Sequence, residues 1–307
     1  MAAGSKSRKY RLRDGHPLAK EIRRAASGRA DHALEQLHEE LAREPEEAVH
    51  TARKDLKKLR SLLRLVRPGL DDEVYARTND DLRVAGRALG GIRDADVLLE
   101  TLEELLERED ELTPAGGVGR LREDLLDQRA RAHHGSGPNR AAAEASELIE
   151  GAASGIPDWP DAVADAVVPG LERAYRRGRN RMREAEDDPT TERLHEWRKR
   201  AKDHWYHLRL VRDAWPEPLK ARADEVHSLT DLIGDDHDVA LLVAEIETRL
   251  PEDSERAELL AAASRRRGEL QGAAFDLGAR VYAEKPKALR RRMEALLEAW
   301  QGAPLHV

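Results

Sequence analysis

The sequence predicts an all-α protein: two tandem antiparallel four-helix-type bundles related by an approximate internal twofold, with a basic groove or cavity between them. Apolar residues recur at helical spacing along most of the chain, and no stretch alternates like a strand. Charged residues make up 37% of the sequence and there is one Phe, a composition typical of helical proteins. One basic segment occurs twice. We place the bundles at residues 10–150 and 160–302.

The first copy of the basic segment spans residues 50–67. At about 100° per residue, its histidine and its basic side chains fall on one narrow face that borders the apolar face. This face, the first stripe, consists of His50, Arg53, Lys54, Lys57, Arg60, Arg64 and Arg67. Asp55 is the only acid in the segment. Like charges at i,i+3 and i,i+4 cost about 0.2–0.5 kcal/mol per pair, so the stripe requires an opposite charge from elsewhere.

The second copy begins at Leu194, at a constant shift of 145 residues. The matching cations, the second stripe, are His195, Arg198, Lys199, Lys202, Arg209 and Arg212. Two stripes in register, each opened by a histidine, indicate an internal duplication. Trp205 stands where the first stripe has Arg60, so the two halves are not electrostatically equal.

Glycine and proline divide the chain into helices. Pro45 and the two acids after it suit the first turn of the first-stripe helix, and Pro68-Gly69 ends that helix. We predict helices at residues 16–43, 45–67, 72–89, 93–109, 120–134, 141–149, 162–186, 194–212, 220–233, 238–250, 252–280 and 286–300. Residues 151–160, which are rich in Gly and Pro, are the best candidate for a linker.

A second pair of similar segments, residues 91–97 and 233–239, supports the duplication because each precedes a leucine-rich helix. We interpret their aspartates as N-caps and as first-turn partners of the helix dipole. They are also candidates to pair with the stripe arginines. Metal ligation by Asp235, Asp236, His237 and Asp238 remains the alternative.

Composition limits the functions that are open to the chain. The absence of cysteine excludes disulfides and thiolate chemistry and fits a reducing cytoplasm. The sequence has neither a signal peptide nor an apolar run long enough for a membrane span, so we expect a cytoplasmic protein without a membrane partner. The net charge of −7 argues against a general nucleic-acid binder and requires that a positive site be local.

Three motifs together resemble the CHAD family, a histidine-bearing α-helical domain. They are the duplicated H-x-x-R-K-x-x-K pattern of the stripes, R-D-A-D-V at residues 93–97 and Y-A-E-K-P-K at residues 282–287. The resemblance extends over about residues 10–300. It implies tandem helical bundles with a basic cavity or groove, binding of inorganic polyphosphate and, as for some members, a location at polyphosphate granules.

The resemblance also implies which residues bind polyphosphate. They are His50, Arg53, Lys54, Lys57, Arg60, Arg64, His195, Arg198, Lys199, Lys202 and Arg209, and we add Tyr206 from the second segment. Arg24, Arg179, Lys285 and Lys287 are weaker candidates, based on helical position and on the Lys-Pro-Lys match. We predict no catalytic residue, no metal and no other cofactor, and we leave a homo-oligomer open.

Elementary chemistry supports this site. Polyphosphate is a flexible strand with about one negative charge per unit, and two facing rows could hold it through planar Arg forks and Lys point charges. A surrounding polyanion favours protonated histidines that donate to phosphate oxygens. One alternative is that acids of neighbouring helices neutralise the stripes internally.

Two other functions remain open beside non-catalytic binding. A metal-dependent phosphohydrolase acting on phosphate polymers or nucleotides would use the His237-Asp238 pair, although no spacing brings a second His-Asp set to it. An RNA-binding helical protein would need aromatic side chains for stacking, and at 4% aromatics that signal is weak.

Overall fold

The computed structural model describes residues 9–109, 116–133 and 137–302. These residues form helices joined by short connections, with no strand in the described ranges. The helices are α1 Leu18–Glu35, α2 Pro45–Val66, α3 Asp72–Ala88, α4 Gly91–Arg108, α5 Gly116–His133, α6 Gly137–Ser154, α7 Val167–Asp187, α8 Thr191–Leu210, α9 Pro216–Arg249, α10 Ser254–Val281 and α11 Pro286–Gly302. The predicted all-α class is confirmed.

Each stripe lies on one uninterrupted helix, as predicted. Helix α2 begins at Pro45 with acids in its first turn, and a 3-10 turn over Arg67–Gly69 follows it. Helix α8 begins after Thr190, whose hydroxyl accepts a hydrogen bond from the backbone N–H of Arg193 at 3.3 Å. This N-cap satisfies one of the donors that a helix start leaves without an intrahelical partner.

The prediction of two helices at residues 220–233 and 238–250 is wrong, because α9 is continuous over 34 residues. The second aspartate segment therefore lies in mid-helix and caps nothing. Its Asp236 is buried and accepts hydrogen bonds from Arg267 at 2.9 Å and Gln271 at 2.8 Å, both on α10. In the first half, α4 does begin at Gly91, and Asp96 pairs with Arg129 at 3.1 Å. The side chains of residues 91–95 lie outside the described part.

Residues 151–160 are not an extended linker, because they form helical turns in which Ala152, Ile156 and Trp159 are buried, although five of the ten residues are exposed. Helix α6 continues to Ser154, and the 3-10 turns Ile156–Asp158 and Asp161–Val163 follow. Trp159 is only 3% exposed. Arg23 of α1 holds this segment by donating to the Trp159 carbonyl and to Asp161. Apolar burial thus overrides the Gly and Pro content that suggested a linker.

The hydrophobic interior does not divide at the predicted bundle boundary. A first core joins α1–α3 and α6–α8 with the start of α9, the end of α10 and α11. A second core joins α4 and α5 with the rest of α9 and the start of α10. Each core therefore contains residues from both halves of the sequence. The boundaries 10–150 and 160–302, and the approximate twofold, remain predictions about the repeat.

The two stripe helices contact each other directly. The Ser61 carbonyl of α2 accepts a hydrogen bond from His207 Nε2 of α8 at 2.8 Å, and the Ser61 hydroxyl donates to the Asp203 carbonyl at 3.4 Å. One turn further along α2, a Cβ built at Gly170 of α7 would lie 2.1 Å from the Leu65 carbonyl oxygen. Glycine is required there because the two backbones touch.

Candidate functional site

Both stripes line the same pair of adjoining cavities. The larger stripe cavity has a volume of about 960 Å³, and the smaller stripe cavity about 590 Å³. The side chains that line both of them are Arg53, Lys57, His195, Arg198, Lys202 and Tyr206. Cations of α2 and α8 therefore face a shared space.

Positive charge dominates both cavities. Among the residues that the structure describes, nine lysines and arginines, four histidines and two aspartates line the larger cavity. Ten lysines and arginines, one histidine and one aspartate line the smaller one. Since the chain as a whole carries −7, these cations are concentrated against an acidic background.

The structure brings most of the predicted site residues together. Those that line one or both stripe cavities are His50, Arg53, Lys54, Lys57, Arg60, Arg64, His195, Arg198, Lys199, Lys202, Tyr206 and Arg209. The four weaker candidates line neither cavity. Arg24 pairs with Glu21 at 2.8 Å, Arg179 donates to the Tyr282 carbonyl at 3.0 Å, and Lys285 and Lys287 are exposed.

The chain's own acids neutralise only part of the stripes. Arg64 pairs with the buried Asp203 at 2.5 Å, and Lys199 pairs with Glu196 at 2.6 Å. Arg60 donates to the Asn79 amide oxygen at 3.3 Å, and burial together with the nearby Arg64 lowers its pKa to about 10. Of the fifteen lysines and arginines that line the two cavities, eight lie within 4.0 Å of a carboxylate in the described ranges. They are Lys58, Arg64, Arg83, Lys199, Arg200, Lys202, Arg212 and Lys220. Internal neutralisation, the alternative weighed above, thus applies to about half of the lining cations.

Arg53 and Arg198, which correspond across the repeat, are anchored to backbone carbonyls. Arg53 Nη1 donates to the Gly90 carbonyl at 2.9 Å, and Arg198 Nε donates to the Thr230 carbonyl at 3.4 Å. Both carbonyls lie just before the repeated aspartate segments. A Cβ at Gly234 would lie 2.7 Å from Arg198 Nη2, so this glycine leaves room for the guanidinium.

An aromatic pair departs from the symmetry of the stripes. Trp205 is 8% exposed, and Lys202 and Arg209 each lie 5.0 Å from its ring centroid. Cations over a ring face are attracted by its quadrupole, so Trp205 attracts Lys202 and Arg209. At the corresponding position, the first stripe has the cation Arg60 instead of an aromatic ring. Burial raises the pKa of the neighbouring Tyr206 to about 12, which keeps its hydroxyl protonated.

Two histidines meet at the wall of the larger cavity. The rings of His195 and His237 lie 4.5 Å apart, and the buried Nδ1 atom of each has no hydrogen-bond partner among the described residues. Burial, and then the neighbouring His237, lower the pKa of His195 to about 4. Burial likewise lowers the pKa of His237. Without a ligand, His195 is therefore neutral at pH 7.

Sequence reasoning missed several cations of the cavities. Arg83 and Arg87 of α3 line the smaller cavity, and Lys220 and His227 of α9 line the larger one. Each pair has helical spacing on one face, which is a signal that the sequence carries. Lys58 carries no such signal, because it lies off the stripe face and pairs with Asp55.

Two further findings concern metals and membranes. Over the described ranges, no three His, Asp or Glu side chains are grouped so that they could hold a metal ion. None of the helices described is long and apolar enough to cross a lipid bilayer.

The fold and the site define an all-helical domain with a cation-lined interior. The sequence model of the CHAD domain matches residues 24–247, and the chain belongs to the CHAD domain family.

Solved structures agree on the fold. PptA from Streptomyces chartreusis is similar with a TM-score of 0.64 and 20% identity, over 88% of this chain and 100% of that one. The CHAD domain from the plant Ricinus communis is similar with a TM-score of 0.55 and 18% identity, over 94% of this chain and 95% of that one. The comparison with curated proteins returns no match.

Proposed function

We propose that this protein binds inorganic polyphosphate, without catalysis, in the two stripe cavities. The observation that supports the proposal is that both cationic rows face one shared space with few carboxylates in it. Membership of the CHAD family supports the same ligand. A location at polyphosphate granules would follow from this binding.

The ligand would supply the negative charge that the stripes lack. Arginines donate paired N–H hydrogen bonds to phosphate oxygens, and lysines act as point charges. Release of counterions would provide much of the affinity. For single strands the slope of log K against log salt is about −0.7 per phosphate neutralised, so eight contacts give about −5 to −6.

The non-catalytic part of the proposal and the choice of polymer have direct tests. Purified protein mixed with polyphosphate should release no orthophosphate above the blank. Release that a chelator abolishes would establish a metal-dependent hydrolase instead. Titrations with polyphosphate and with RNA of similar length, each at two salt concentrations, should show tighter binding of polyphosphate. Equal affinities would rule out selectivity for it.

A double charge reversal tests the site itself. Lys57→Glu with Lys202→Glu places acids on both stripes where the two cavities join, and it should abolish binding while circular dichroism stays unchanged. Lys9→Glu with Lys20→Glu is the matched control, because both lysines are exposed and line neither cavity. Normal binding by the Lys57/Lys202 variant would show that the stripes are not the site.

A further inference from the structure

A third cavity adjoins the stripe cavities at the C-terminal end of α2. It has a volume of about 370 Å³, and we call it the arginine pocket. The charged residues that line it are Arg64, Arg67, Arg173, Arg177, Arg200, Asp72 and Asp203. Within the described part of the chain this leaves a formal charge of +3. Arg173 and Arg177 come from α7, which carries neither stripe.

The two carboxylates of the pocket are already paired. Asp203 lies between Arg64 at 2.5 Å and Arg200 at 3.1 Å, so these three residues together carry one positive charge. Asp72 is 3.5 Å from Arg67, and its side chain is 88% exposed, where water screens the pair. Neither acid is left to neutralise the α7 arginines.

The α7 arginines lack an anionic partner. Arg173 donates to the carbonyls of Arg64 and Leu65, and burial followed by repulsion from Arg177 and Arg67 lowers its pKa. Arg177 is exposed and forms no hydrogen bond or ion pair within the described ranges. Like charges gathered in this way are stabilised by an anion that bridges them.

The pocket shares part of its wall with the proposed polyphosphate site. Arg64, Arg200 and Asp203 line both the smaller stripe cavity and the arginine pocket. We propose that a phosphate chain filling the stripe cavities passes these three residues and ends in the arginine pocket, bound there by Arg67, Arg173 and Arg177. This inference rests on the proposed function and adds that affinity depends on the length of the phosphate chain.

The chemistry of the lining favours phosphate over other anions. All five cations are arginines, whose planar fork donates two parallel N–H bonds to phosphate oxygens. The Arg67 guanidinium lies 4.7 Å from the Tyr75 ring centroid, a contact that orients it. A short phosphate chain held in the larger stripe cavity would not reach this end of the site.

Charge reversal in the pocket, measured with two ligands, tests the inference. Arg67→Glu with Arg177→Glu should weaken binding of long-chain polyphosphate about a hundredfold or more, since each of the two lost charged hydrogen bonds is worth about a factor of ten. Its salt slope should fall in magnitude by about 1.4, for two phosphates. Binding of tripolyphosphate should not change. Arg176→Glu with Arg181→Glu is the matched control: both lie on α7, are exposed and line none of the three cavities.

The outcomes separate the inference from the function on which it rests. Wild-type affinity for long chains in the Arg67/Arg177 variant, or equal weakening of both ligands, would overturn the inference. If the Lys57/Lys202 variant nevertheless loses both ligands, the proposed function stands. If that lysine variant binds both ligands normally, the proposed function fails instead.

Discussion

At the scale of single residues, the protein pairs several buried charges among its own side chains. Asp55, the only acid in the first basic segment, is fully buried, with Arg29 and Lys58 each at 2.8 Å and His32 also in contact. Burial alone would raise the pKa of Asp55. The attraction of Lys58 and Arg29 outweighs burial, so the pKa lies below its ordinary value.

We expect Asp55→Asn to destabilise the fold by about 3–5 kcal/mol at pH 7, because it leaves buried cations without their counter-charge. For the wild type, a lowered carboxyl pKa stabilises the fold above the unfolded value of about 4. That contribution is lost as the pH falls through the folded value. Urea denaturation of both proteins at several pH values measures this. An Asn variant as stable as the wild type would contradict the pairing.

We expect His195 to couple polyphosphate binding to the uptake of a proton. Its pKa of about 4 in the free protein makes it neutral, and a phosphate chain beside it would raise that pKa. Binding should therefore take up a proton, and affinity should increase as the pH falls from 7 to 5. Calorimetry in two buffers of different ionisation enthalpy counts the protons. His195→Gln should reduce the uptake, and an unchanged count in that variant would exclude this histidine.

At the scale of helices, the errors of prediction occurred where tertiary contacts override local signals. The segment Ile233–Val239 has the Gly and Asp content of a helix start, yet α9 continues through it. Gly234 is needed because Arg198 occupies the space of a Cβ, and Asp236 finds its partners on α10. Neither contact can be read from residues close in sequence. Where local signals decide, as at Pro45, the predicted helix start was correct.

Gly234→Ala tests this role of the glycine. The new methyl group would displace the flexible end of Arg198, so the free energy of unfolding should change by less than about 1 kcal/mol while polyphosphate affinity falls several-fold. Gly268→Ala on α10 is the control, since its Cβ meets nothing within 4 Å. The control should gain about 0.5–1 kcal/mol and bind normally. Equal affinity of the two variants would contradict the role assigned to Gly234.

At the scale of the whole molecule, the two sequence halves share both hydrophobic cores. We therefore expect a single cooperative thermal transition, with equal calorimetric and van't Hoff enthalpies, and not one transition for each half. Polyphosphate should raise the midpoint, because a ligand of the native state adds RT ln(1 + [L]/Kd) to stability. Two resolved transitions in scanning calorimetry would show that residues 10–150 and 160–302 fold independently.

The sequence predicted the all-α class and the single cationic face of each stripe helix, because both follow from helical periodicity. That the two faces line one groove was implied by the family resemblance. The sequence did not predict the arginine pocket. That pocket depends on how α7 crosses the end of α2, through the backbone contact at Gly170. It also depends on Asp203 joining Arg64 to Arg200 across two helices. Contacts between distant segments carry no local pattern.

The hydrogen bond between Ser61 and His207 fastens α2 directly to α8. At this point the distance between the two walls is therefore set by packing. A double helix keeps its direction over about 150 base pairs, far longer than these cavities, whereas a phosphate chain bends at every unit. We therefore expect two joined walls of this kind to favour a flexible polyanion over a stiff one.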